Sequence, residues 1–95
     1  MAAYLICEVD QIDAEAASTY LPQAAAAISA FGGRYLSRGG ETRLVEGEKQ
    51  PGRIVVIEFP SMDVAMQFYE SDAYRAPRDL RRATTKSRLV LADGL

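Results

Sequence analysis

The chain opens on Ala3-Tyr4-Leu5-Ile6-Cys7-Glu8-Val9, a short run dense in apolar side chains, the pattern of a central strand. A helix follows. Asp13 suits its N-cap and Glu15 the positive first turn, and Tyr20, Ala24, Ile28 and Phe31 recur at steps of four, four and three. Pro22 lacks an N–H, which predicts a kink or two abutting helical pieces. Gly32-Gly33 ends the helix, since glycine accepts the left-handed conformation beyond a C-terminus. Arg34–Arg38 and Thr42–Glu46 read as extended, with Gly39-Gly40 between them, and Gly47–Gly52 reads as a loop containing Pro51. Arg53–Phe59 is the strongest strand, apolar on both faces. Ser61 caps a second helix with Ala65, Phe68 and Tyr69 inward and Met62 and Met66 along one edge, ending at Ser71-Asp72. Pro77 fits the first position of a short third helix, and Ser87–Ala92 is the last strand.

This order is β-α-β-β-α-β with one extra short helix: an α+β, ferredoxin-like antiparallel sheet with its helices on one face. Gly39-Gly40 leaves two possibilities. A tight hairpin there sets Arg53–Phe59 parallel to Arg34–Arg38, against the pattern. A bulge makes Arg34–Glu46 one bent strand whose second half pairs with Arg53–Phe59, and this is the favoured reading. Its first half then overhangs by roughly 15–20 Å at about 3.3 Å per residue. An open overhang is a liability in a monomer, so a two-fold homodimer is expected.

Composition narrows the function. A single domain of 95 residues with 48% hydrophobic and 25% charged residues is ordinary globular protein. The net charge of -2 gives no general attraction to nucleic acid or to an anionic membrane, and no apolar run approaches the length of a bilayer crossing. Cys7 is the one cysteine, read as a core thiol, and the first fifteen residues carry acids where a signal peptide carries bases, so a reducing cytoplasm is expected. There is no histidine, which excludes a serine-hydrolase triad and leaves no cluster suited to a transition metal; no metal or cofactor is expected.

Several motifs together resemble the domain-of-unknown-function family 1330, within the dimeric α+β barrel group. They are Gly32-Gly33-Arg34-Tyr35-Leu36 with Arg38-Gly39-Gly40, Val56-Ile57-Glu58-Phe59-Pro60-Ser61, Phe68-Tyr69 followed by Ser71 and Tyr74, Arg81, and Ser87 to Gly94. The resemblance implies a ferredoxin-like protomer whose sheet packs against its twin. The wider group includes cofactor-independent monooxygenases, lactone isomerases, haem-handling enzymes and non-catalytic ligand-binding domains, and fold alone does not choose among them. The missing imidazole argues against the haem-binding and His–Asp members.

Six residues carry the candidate chemistry. Arg38 either clamps a carboxylate or enolate or bonds a carboxylate across the dimer. Arg81 flanks the buried face of the last helix, facing an anion or pairing with an acid, whereas Arg78 and Arg82 point to solvent. Glu58 interrupts an apolar strand, as a general acid or base if unpaired and as an ion-pair partner otherwise. Tyr35, Tyr74 and Ser71 are expected at a pocket, with Tyr20 and Tyr69 in the core or an interface. Glu8 and Glu58 belong at opposite ends of antiparallel strands and form no two-carboxylate site. The expected function is binding of a small organic anion or oxygenated metabolite between sheet and helices, with cofactor-independent isomerase or monooxygenase chemistry as an extension and a non-catalytic sensing or structural dimer as the alternative.

Overall fold

The computed structural model describes residues 1–10 and 13–95. Among these the elements are β1 (Ala3–Asp10), α1 (Ala14–Ala30), β2 (Arg34–Arg38), β3 (Arg53–Phe59), α2 (Met62–Glu70), α3 (Asp72–Thr84) and β4 (Lys86–Asp93). The strands form an antiparallel sheet in the order β2-β3-β1-β4. Side chains alternate across a strand, so Ala3, Leu5, Cys7 and Val9 of β1 and Val55, Ile57 and Phe59 of β3 share one face. That face packs on Ala24, Ala27 and Ile28 of α1, Ala65 and Phe68 of α2, and Tyr74 of α3 in a single core.

Local chemistry explains the helix ends. The Asp13 carboxylate accepts the N–H groups of Glu15 and Ala16, and Ser61 Oγ accepts that of Val64. Pro22 neither splits nor ends α1, which runs as one helix of 17 residues. Proline removes only one hydrogen bond, and the buried stripe of Ala24, Ala27 and Ile28 beyond it holds the last turns in place.

Two expectations are corrected. Thr42–Glu46 is not a strand, and Arg34–Arg38 does not overhang. Arg34–Arg38 itself pairs with β3, Arg34 opposite Glu58 and Arg38 opposite Val55. The bulge falls at Leu36, where the register shifts between Tyr35 and Ser37, not at the glycine pair. Gly39, at φ +74°, turns the chain out of the sheet. The segment beyond has no apolar face to bury, and Val45 is 94% exposed. It closes on itself instead: Gln50 Nε2 donates to the Thr42 carbonyl and the Leu44 N–H donates to Gln50 Oε1. The third helix begins at Asp72, five residues before Pro77, because Ser71 Oγ already accepts the Tyr74 N–H.

The sheet's other face carries no helix. Ile6 lies in one row between Val56 and Val90, and Ile6 and Val90 are each 39% exposed, with Tyr4 two residues along the same strand face. No helix is long and apolar enough to cross a membrane among the described residues.

Candidate ligand-binding cavity

The site is built largely by α3. Ser71 sets its first turn and so places Tyr74; Pro77 and Arg81 follow on the same buried face. Tyr74 packs on Phe68 at 4.4 Å between ring centroids, Phe68 on Phe59 at 5.0 Å, and Tyr20 of α1 meets Tyr74 edge-on at 6.4 Å. This aromatic column runs from an apolar floor to a polar end, where the Tyr20 and Tyr74 hydroxyls share a hydrogen bond of 2.7 Å.

Beside it, between α1, α3 and the sheet, lies a cavity of about 60 Å³. A water needs about 10–15 Å³ measured this way, so the enclosed space suits a few heavy atoms. Leu5, Val9, Ile28, Val55 and Ile57 make its walls apolar; Tyr20, Tyr35 and Tyr74 bring hydroxyls, and Arg38, Arg53 and Arg81 bring positive charge. No carboxylate lines it among the described residues.

Arg81 is the unusual member. It is 7% exposed, yet no carboxylate lies within ion-pairing distance of it among the described residues. Its Nη1 donates to Ser87 Oγ, and its Nε has no partner. An arginine stays charged at physiological pH, and a buried charge is normally paired. Arg38 stacks over the Tyr35 ring at 4.7 Å and also has no acid partner. Arg53 lies against Gly39, where any side chain would overlap its guanidinium.

The Tyr20 and Tyr35 phenols and the Cys7 thiol hold their protons more tightly than usual. Burial first, then the neighbouring Tyr74, push the Tyr20 phenol well above its ordinary range. Burial raises Tyr35 against the opposing charge of Arg38. Burial pushes Cys7 up to about 11, with Arg81 and Arg53 pulling the other way. The cavity therefore offers donors and cations but no base at neutral pH. No group of three or more His, Cys, Asp or Glu placed to hold a metal ion occurs among the described residues.

Of the six candidates, Tyr35, Arg38, Tyr74 and Arg81 meet at this cavity. Glu58 and Ser71 do not. Glu58 sits on the sheet's uncovered face, opposite Tyr4, and accepts from Arg34 Nε at 2.8 Å. Ser71 is a cap that also donates to the Phe68 carbonyl at 2.7 Å. Glu8 pairs opposite Ile54, away from Glu58, as the antiparallel register requires. Arg78 is not free in solvent: Nη1 donates to the Tyr69 carbonyl at 3.1 Å and its guanidinium lies 5.5 Å from the Tyr69 ring centre. Sequence reasoning missed Arg53 and left Tyr20 among the core residues. Two-residue counting from Phe59 through Ile57 and Val55 reaches Arg53 and would have placed it on the helix side.

No curated protein matches the chain in sequence. Solved structures share its fold. A protein of unknown function from Rhodopseudomonas palustris superposes with a TM-score of 0.78 at 18% identity, covering 99% of this chain and 82% of that one. A dimeric ferredoxin-like protein of unknown function from Jannaschia sp. CCS1 gives 0.63 at 11% identity, covering 99% and 100%. SnoaB, a cofactor-independent oxygenase from Streptomyces nogalater, gives 0.62 at 16% identity, covering 99% and 91%. At such identities the likeness is one of fold, the ferredoxin-like arrangement derived above. The motifs noted in the sequence have a firmer counterpart, since the match to the domain of unknown function DUF1330 extends over residues 2–95: the chain belongs to that family.

Proposed function

We propose that the protein binds a small organic anion or oxygenated metabolite in the cavity between sheet and helices. Arg81 carries the reading. A nearly buried guanidinium without an acid partner, its Nε unbonded, beside an apolar cavity lined by hydroxyls is an incomplete ion pair. A ligand carboxylate or enolate completes it, with the Tyr20, Tyr35 and Tyr74 hydroxyls beside it and the apolar walls around its body.

Binding is the core of the proposal; catalysis is an extension of it. Cations and phenols that stabilise an enolate are what cofactor-independent isomerase or oxygenase chemistry requires of a site without histidine. SnoaB is named a cofactor-independent oxygenase, but fold does not carry activity across. The lack of a deprotonated base in the cavity favours a non-catalytic, ligand-sensing dimer, or a substrate that loses its own proton readily. The homodimer forms through the uncovered sheet face, where Ile6, Val56 and Val90 stand in one row with no helix over them. A cytoplasmic setting fits the free, buried Cys7.

The test is a thermal-shift panel of small organic acids, with their neutral amides as controls. A binder at a hundredfold excess over its Kd adds about 2.7 kcal/mol of stability, several degrees for a domain of this size. If no acid shifts the transition, the function is structural and the binding reading fails.

A further inference from the structure

The positive charge of the cavity is not in one place. Register puts Arg53 opposite Val9, and Val9 opposite Ser87, in one row on the helix-facing side of the sheet. Ser87 is the residue to which Arg81 donates. With strands about 4.7–4.9 Å apart, Arg53 and Ser87 stand two strand spacings from each other, about 9–10 Å at the backbone. The Arg53 guanidinium lies against Gly39, on the β2 side of that row. Arg38, opposite Val55 on β3, is its diagonal neighbour on the same face, at about 7–8 Å by ordinary sheet geometry. Positive charge thus gathers at two poles: Arg38 and Arg53 over the β2 side, and Arg81 with Tyr74 and Tyr20 over the β4 side. Between them lie Cys7, Val9 and Val55, all apolar or neutral. The Cys7 thiol feels both poles, since Arg81 and Arg53 each act on it.

Neither pole has an acid partner among the described residues. The Arg38–Arg53 pole is two like charges held on one strand pair, and Gly39 admits the Arg53 guanidinium only because it has no side chain. Two neighbouring cations without a counter-charge repel. A ligand with one anionic end neutralises one pole and leaves the other open.

We infer that the ligand is anionic or oxygenated at both ends, a small dicarboxylate or keto-diacid whose inner end meets Arg81 and the Tyr20–Tyr74 pair and whose outer carboxylate lies between Arg38 and Arg53. This rests on the anion-binding function proposed above and narrows it. The enclosed volume holds the inner end and an apolar spacer; the outer end lies at the exposed Arg38. Tyr35, stacked under Arg38, fixes that guanidinium over the rim.

Calorimetry with matched pairs of acids tests the inference: succinate against butyrate, glutarate against valerate, isophthalate against benzoate, on the wild-type protein and on Arg53→Gln and Arg53→Lys. At least one diacid should bind tenfold or more tighter than its matched monoacid. Arg53→Gln should erase that preference, and Arg53→Lys should restore part of it. Circular dichroism and an unchanged thermal transition show that the variants are folded. Equal binding of diacid and monoacid overturns the two-ended ligand and leaves the anion site standing. No binding by any acid overturns both.

Discussion

The two faces of the β2–β3 pair use arginine in opposite ways. On the uncovered face Arg34 and Glu58 sit opposite each other and close an ion pair at 2.8 Å. On the helix-facing side Arg38 and Arg53 have no acid partner among the described residues, and Arg81 reaches the same cavity from α3, nearly buried and likewise without an acid. A surface pair in water contributes little and asks for nothing further. A buried, unpaired guanidinium costs stability that the fold must offset elsewhere, and that cost persists where a ligand makes use of it. The contrast is between a face whose one close ion pair is satisfied among exposed apolar side chains and a face whose arginines are left without acids.

The sharpest way to break the comparison is to put charge where the uncovered face is apolar. Ile6→Glu places a carboxylate in the row between Val56 and Val90, and a two-fold interface takes it twice. We expect dimer affinity to fall by about a thousandfold, roughly 4 kcal/mol, in sedimentation equilibrium. Affinity for organic acids in the cavity should be unchanged. A dimer that survives would move the interface elsewhere.

Next in size is removal of the cavity's own charge. Arg81→Met keeps an unbranched apolar stem but deletes the guanidinium. Acid binding should fall about a hundredfold, roughly 3 kcal/mol, while the melting temperature stays level or rises, because a hydrophobic replacement for a buried charge is often stabilising. Arg82→Gln, exposed on the same helix, should change neither. A structural Arg81 would show the reverse: a lower melting temperature and no specific loss of binding.

The third effect is a pH dependence confined to the helix-facing side. Cys7 has an ordinary value of 9.0 and is raised by burial to about 11. The native state therefore holds the thiol proton more tightly than the unfolded chain does. The stabilisation is fully present below pH 9 and declines between 9 and about 11, by a few kcal/mol at most. Tyr20 and Tyr35, raised for the same reason, carry the decline to higher pH. Urea titrations from pH 8 to 11 should show this slope, and Cys7→Val should flatten its lower part. An unchanged slope in Cys7→Val would mean that the thiol is not held protonated by burial.

How much of this the sequence disclosed depends on the range of the signal. Caps act over three residues, and Asp13 and Ser61 were legible as the starts of α1 and α2. The alternation in Ala3–Val9 and the run Arg53–Phe59 identified the central strands, and the spaced motifs identified the family. The segment after β2 was misread because Gly39-Gly40 fits a bulge as well as an exit, and only pairing with β3 distinguishes them. Arg38 was singled out beside a supposed bulge, Tyr35 and Tyr74 for their polar tips and Arg81 for its place beside a buried helix face, and the fold brings all four to one cavity. The Tyr20–Tyr74 contact joins residues 54 apart, and no local periodicity reports it. Ser71 and Glu58 were overread: a hydroxyl before a helix and an acid in a strand each have a commoner duty, capping in one case and pairing in the other.

The smallest effect belongs to the satisfied face, and its smallness is what makes it informative. Arg34 is 71% and Glu58 25% exposed, and the pair bridges neighbouring strands. Cross-strand ion pairs in such settings are worth about 0.2–1 kcal/mol and are screened by salt. Glu58→Gln should therefore lower stability by no more than about 1 kcal/mol, should lose less than that at high salt, and should leave acid binding unaltered. A double-mutant cycle with Arg34→Gln isolates the pair from the rest of the face. A large loss of binding on Glu58→Gln would connect the two faces through β3 and return this carboxylate to the site, and it would mean that the uncovered face takes part in recognition as well as association.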